Sequence, residues 1–270
     1  MMTSRHIFRV IRARSLAAAA LAVATAVAAG CNLELSAGAE ARDQWTRNYT
    51  IAQGGTVEIR EPNGTIKIEA VEGDRVDVVA ERIARASSDE AAKDLLSKME
   101  ISEDISPTRI ALDGTQRSGA RILQGSRTVN YTVKLPRWAT VAVHTSNGIV
   151  DVTGLAGTLR VEATNGSVQA RGLEGSAHVE TTNGTARLEF AKVGDQGITC
   201  ETTNGTIVVS LPKDTKASLS ARVTNGAIRP ENLPLEVIEQ SQRRLDGTLN
   251  GGGAEIRLSA TNGTIRIEGK

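Results

Sequence analysis

The pair Asn-Gly occurs seven times, at Asn63-Gly64, Asn147-Gly148, Asn165-Gly166, Asn183-Gly184, Asn204-Gly205, Asn225-Gly226 and Asn262-Gly263. From the second pair onward the spacings are 18, 18, 21, 21 and 37 residues. A period near 20 residues marks an array of stacked repeats. Such an array presents faces and columns to solvent, so any function must be sought on its surface.

The flanks of the pairs alternate. Two and four residues after the glycines stand Ile66/Ile68, Val150/Val152, Val168/Ala170, Ala186/Leu188, Ile207/Val209 and Ile265/Ile267. Four and two residues before the asparagines stand Val143/Thr145, Val161/Ala163, Val179/Thr181, Cys200/Thr202, Ala221/Val223 and Leu258/Ala260. This is the period of a strand with one buried face. Asn and Gly tolerate positive φ, so each pair is expected to be a tight turn. A second turn closes the unit at Gly154-Leu155-Ala156-Gly157 and again at Gly172-Leu173-Glu174-Gly175.

Two all-β architectures satisfy this pattern. One is a β-solenoid, in which each unit is a coil and like turns stack. The other is an antiparallel meander of Asn-Gly hairpins. The near-identity of successive units favours the solenoid, because each coil then buries its neighbour's apolar face. The outward column Glu162, Glu180 and Glu201 argues mildly for the meander, since stacking sets these carboxylates about 4.8 Å apart.

The chain opens with Arg5, Arg9, Arg12 and Arg14, followed by an apolar run from Leu16 to Ala29. Fourteen residues are too few to span a bilayer comfortably, and the pattern reads as a secretory leader over residues 1–30. It ends Ala28-Ala29-Gly30-Cys31, which resembles the bacterial lipobox. That resemblance makes Cys31 the lipidated residue and the membrane a partner. Residues 31–46 then read as a tether and residues 47–128 as an N-terminal β region with a capping helix at about 88–99. Residues 113–128 are polar and read as a mobile loop. The β-repeat domain follows over residues 129–270, with a second short helix expected between Leu235 and Leu245.

Net charge is +1 and aromatic residues make up 2 % of the chain. There is no basic field for nucleic acid and no stacking platform for single strands or sugars. Only three histidines exist, and His144 and His178 fall in different outward columns. No nucleophile, metalloprotease or phosphate-loop motif is present, so neither catalysis nor a cofactor is expected. The Glu162/Glu180/Glu201 column is the one cation candidate, against a solvated face beside a basic column of Arg187, Arg229 and Arg266. Cys200 occupies a slot otherwise filled by valine and reads as a buried hydrophobe.

The repeated Ser/Thr-Asn-Gly-x-Ile/Val unit is similar to that of a bacterial adhesin-like family of unknown function, the DUF4097 type. The similarity extends to Gly54–Ile68, to Tyr131–Pro136 and to the Leu249–Gly253 run, and it covers residues 47–270. It implies a β-solenoid protein of the cell envelope. The reading that follows is a non-catalytic, lipid-anchored, periplasmic or outer-membrane-associated lipoprotein whose solenoid binds or scaffolds, with an envelope protein or glycan as partner. The alternatives are a carbohydrate-active β-helical enzyme and an accessory protein in envelope stress or signalling.

Overall fold

The computed structural model describes residues 38–115 and 125–270. The leader, Cys31 and the central part of the polar loop lie outside the described residues. Fourteen strands and one helix make up the described chain. The strands are β1 (Ala39–Thr50), β2 (Thr56–Val71), β3 (Arg75–Ala86), β4 (Ser102–Ser106), β5 (Arg109–Asp113), β6 (Gly125–Pro136), β7 (Thr140–Thr153), β8 (Leu159–Leu173), β9 (Ala177–Phe190), β10 (Ile198–Leu211), β11 (Ala217–Glu231), β12 (Leu235–Gln240), β13 (Arg244–Leu249) and β14 (Ala254–Gly269). The helix α1 spans Asp89–Ser97.

Seven strands carry an Asn-Gly pair near their middle, and all seven pair in parallel. The order is β2-β7-β8-β9-β10-β14-β11. The start of β8 lies beside the start of β7, with Val141 opposite Leu159. The chain must therefore double back at the Asn-Gly pair to begin the next coil in register. This is a β-solenoid, and the hairpin meander is excluded because the repeats pair in parallel. Each coil is an ascending arm, an Asn-Gly corner, a descending arm and a closing turn. Val143, Val161, Val179, Cys200 and Leu258 form one buried column, and Val150, Val168, Ala186, Ile207 and Ile265 another. Both belong to a single core. Each fully buried Leu, Ile or Val contributes about 1.5–3 kcal/mol. Leu155 and Leu173 plug that core from the closing turns, where Gly154 and Gly172 take the positive φ that lets the chain reverse.

The corners are continuous strand rather than the tight turns expected, but five of their glycines, Gly64, Gly184, Gly205, Gly226 and Gly263, do take positive φ, between 144° and 158°, while no asparagine of the seven does. Close packing gives glycine a second reason. A methyl group on Gly184 would overlap the carbonyl oxygen of Gly166 in the coil before it, and each later corner repeats that contact. The corners stack backbone on backbone, and only glycine permits that approach.

Both ends of the array are capped. At the first coil, β6 runs parallel to the descending arm of β2, while β3 and then β1 add antiparallel strands outside it. The β4–β5 hairpin pairs with the ascending arm of β2. Ser88 caps α1, its Oγ accepting from the Ala91 amide at 3.2 Å. Residues 39–46, expected within the tether, are strand, because β1 pairs with β3 along its whole length. Its side chains are mostly polar and exposed, so no apolar period announces it. The first coil is β2, inside the expected N-terminal region, and β6 belongs to the cap, so cap and array are interleaved.

The far end holds a second correction. Leu235–Leu245 forms no helix. It builds β12 and the start of β13, an antiparallel hairpin that covers the ascending arm of β11. Pro234 and the β-branched Val237 and Ile238 favour extension there. This hairpin explains the 37-residue spacing. After it the chain returns through Asn250-Gly251-Gly252-Gly253 and inserts β14 between β10 and β11.

Gly184→Val is expected to lower the melting temperature by several degrees, with hydrogen exchange rising first in β8 and β10. The exposed Thr182→Val should shift stability by less than about 0.5 kcal/mol. Equal melting of the glycine variant and the parent would refute the backbone-stacked corner.

Candidate functional site

The outer face of the ascending arms carries the polar columns. Arg60, His144, Glu162, Glu180, Glu201 and Ser259 follow one another across six coils. Two residues further along each arm, beside the asparagines, runs a second rank of Ser146, Thr164, Thr182, Thr203 and Thr261. Between and along these ranks lies an open groove of about 560 Å³. At roughly 4.8 Å per coil, six coils span about 24 Å.

The asparagines form a ladder next to the hydroxyl rank that lines the groove. Nδ2 of Asn147 donates to Oδ1 of Asn63 at 3.0 Å, and the same bond links 165 to 147, 183 to 165, 204 to 183, 262 to 204 and 225 to 262 at 2.8–2.9 Å. The ladder thus has seven members, all oriented alike. Each bond adds about 0.5–1.5 kcal/mol at most at this exposed edge, and aligned amides polarise one another.

The carboxylate column does not converge on a metal. His144 Nδ1 lies 2.9 Å from Glu162 Oε2, and His178 Nε2 lies 2.9 Å from Glu180 Oε1. Each of these two carboxylates thus has an imidazole nitrogen within hydrogen-bond distance. Glu201 has no such partner among the described residues, and there no three His, Cys, Asp or Glu side chains group as metal ligands. The arginines expected beside this column are elsewhere. Arg187, Arg266 and Arg229 lie on the descending arms, with Val208 interrupting them. Cys200 is fully buried, and burial, followed by the charge of Glu201, pushes its thiol up to about 12. It is inert.

The residue that sequence reasoning missed is Glu61. It occupies the buried slot two before Asn63, where later coils have Thr145, Ala163, Thr181 and Thr202. A charged residue in an otherwise apolar or hydroxyl column was the available signal. Glu61 is 3 % exposed and forms the inner wall at one end of the groove. Its Oε1 accepts from the Asn63 amide at 3.1 Å, so it anchors the first corner. Its Oε2, the Tyr131 hydroxyl and the Thr145 hydroxyl have no hydrogen-bond partner among the described residues. Burial, reinforced by the charge of Asp113 and opposed by the Asn63 amide, raises the carboxyl from 4.5 to about 7. Burial and the nearby Glu61 also raise the Tyr131 phenol, which stays protonated.

The Toastrack DUF4097 family model matches residues 46–268, and the chain belongs to that family. No functionally curated protein matches it. Among solved structures it is similar to a candidate cell adhesion protein from Clostridium sporogenes ATCC 15579, with 12 % identity over 84 % of this chain and 100 % of that one and a TM-score of 0.41. It is also similar to a candidate adhesin from Bacteroides fragilis NCTC 9343, with 14 % identity over 84 % and 97 % of the two chains and a TM-score of 0.33.

The raised carboxyl has a stability consequence. The folded state holds the Glu61 proton more tightly than the unfolded state. Its contribution is therefore complete below about pH 4.5 and is lost as pH rises through about 7. That window is worth roughly 3 kcal/mol. Glu61→Gln should melt higher than the parent at pH 8 and close to it at pH 4.5, measured by calorimetry across that range. Parallel pH profiles for the two proteins would show that Glu61 ionises freely.

Proposed function

We propose that this protein is a non-catalytic binding module of the bacterial cell envelope, and that the groove beside the asparagine ladder is its contact surface. The observation that carries this reading is the continuity of the ranked hydroxyls and carboxylates across successive coils. Such a face suits an extended ligand laid along the stacking axis, bound through many weak polar contacts. Its carboxylates favour a partner with cationic groups, on an envelope protein or a glycan. Placement at the membrane rests on the leader and on Cys31 as the lipid-bearing residue. Among the described residues no helix is long and apolar enough to cross a membrane.

Glu61 gives one specific observation to a second reading, polysaccharide hydrolysis. A carboxyl raised to about 7 in the wall of an open groove has the form of a general acid.

Thr182→Trp/Thr203→Trp fills the middle of the groove at two exposed positions. Capture of envelope components by immobilised protein should fall strongly for this variant. Unchanged capture would remove the groove from the proposal. Release of new reducing ends from envelope polysaccharide, lost in Glu61→Gln, would favour the enzyme instead.

Cys31→Ser should move the protein from the membrane to the soluble fraction, since multiple acyl chains supply the anchoring. Retention on membranes after a high-salt wash would exclude the lipid anchor.

A further inference from the structure

The same dipeptide that builds the corners is the one most prone to deamidation. In Asn-Gly the backbone nitrogen of the glycine can attack the asparagine Cγ because no side chain hinders it. The N–Cγ bond forms, the Cγ–Nδ2 bond breaks and ammonia leaves, giving a cyclic imide. Water then opens the imide at either carbonyl to give aspartate or isoaspartate. Hydroxide assists by removing the glycine amide proton, and no oxidant or further reactant is needed. A chain with seven such pairs is exposed to this reaction seven times unless the fold prevents it.

The ladder prevents it at most positions. Asn147, Asn165, Asn183, Asn204 and Asn262 each have Nδ2 donating to one neighbour and Oδ1 accepting from another. For Cγ to swing toward its own glycine nitrogen, both bonds must break. The glycines following them are also sandwiched, each lying against the corner glycine of the coil before and carrying that of the coil after. At the β2 end, Gly64 lies against Val129 of β6, and the Thr65 amide next to it donates to Asn130 Oδ1 at 3.0 Å.

The β11 end differs in what covers its glycine. Asn225, like Asn63 at the other end, has a single ladder bond, to Asn262. Gly226 lies against Gly263, and no other corner glycine lies against Gly226. The hairpin that caps β11 pairs in register with Ala217–Arg222, and its turn bonds on either side of the corner, the Val223 amide donating to the Arg243 carbonyl at 2.9 Å and the Ile228 amide to the Gln242 carbonyl at 3.1 Å. Gly226 nevertheless stays exposed, the one exposed glycine among the seven corners.

We infer that Asn225 is a modification site of the folded protein, converting to aspartate and isoaspartate while the other six asparagines are held. The product loses the amide that donates to Asn262, and isoaspartate lengthens the backbone by one methylene. The change frays the terminal coil alone, because each coil is held by its neighbours.

The test is peptide mapping by mass spectrometry of native protein incubated at pH 8.5, beside the same protein in concentrated denaturant. In the folded protein Asn225 should convert first, at least ~5-fold faster than any of the five doubly bonded asparagines, the factor set by the extra ladder bond they must break. In denaturant the seven should react at comparable rates. Asn262→Ala, which removes the partner of Asn225, should speed conversion at Asn225 further. Equal rates in the folded protein, or another asparagine leading, would overturn the inference. So would the same preference for Asn225 in denaturant, which would trace the selectivity to local sequence.

Discussion

Parallel stacking of the Asn-Gly corners is the constraint on which the rest of this structure depends. Glycine lets successive backbones touch at the corner, and asparagine ties each side chain to the next through its amide. Neither element suffices alone. A side chain on the glycine would wedge the coils apart, and without the amides the edge would offer only water to the polar groups. Together they hold register, and register decides which residues are buried. A slip of one residue would turn every Val and Ile of an arm to solvent.

Everything outward of the core inherits that register. A residue repeated once per coil becomes a column at about 4.8 Å intervals, whatever its chemistry. Apolar residues gain from this, and hydroxyls can bond one another, as Thr181 does with Thr202 at 2.9 Å. Carboxylates are set against each other, and one histidine lies beside Glu162 and another beside Glu180. The groove is a by-product of the same arithmetic, and so is Glu61. The first coil places a carboxyl in a column that later coils fill with Thr or Ala, and it anchors the amide of Asn63 there. The buried charge is tolerated because the group takes up a proton more readily than an exposed carboxyl.

The end coils show what stacking alone does not provide. An open solenoid end exposes unpaired backbone and apolar columns. At β2 the chain spends β1, β3, β6, the β4–β5 hairpin and α1 on covering it. At β11 it spends one hairpin, and then threads β14 between β10 and β11 so that the last Asn-Gly pair in the sequence is not the last in space. The caps differ in thoroughness, and the β11 corner is the less protected for it.

Sequence alone determined the repeat, the all-β class, the buried slots on either side of each corner and the position of α1, because these follow from local periodicity and capping chemistry. It also made Cys200 a core residue, since its slot belongs to a valine column. It did not determine the conformation of the corners. Asn-Gly is compatible with a tight turn and with a close backbone approach, and only the neighbouring coil distinguishes them. β1 was illegible because a polar strand is defined by its partner β3, and Leu235–Leu245 because its pattern fits a helix until an exposed edge of β11 recruits it. The order of the last two coils and the burial of Glu61 were likewise decided by tertiary structure. Each depends on which strand lies next door, and adjacency in a solenoid need not follow adjacency in the chain.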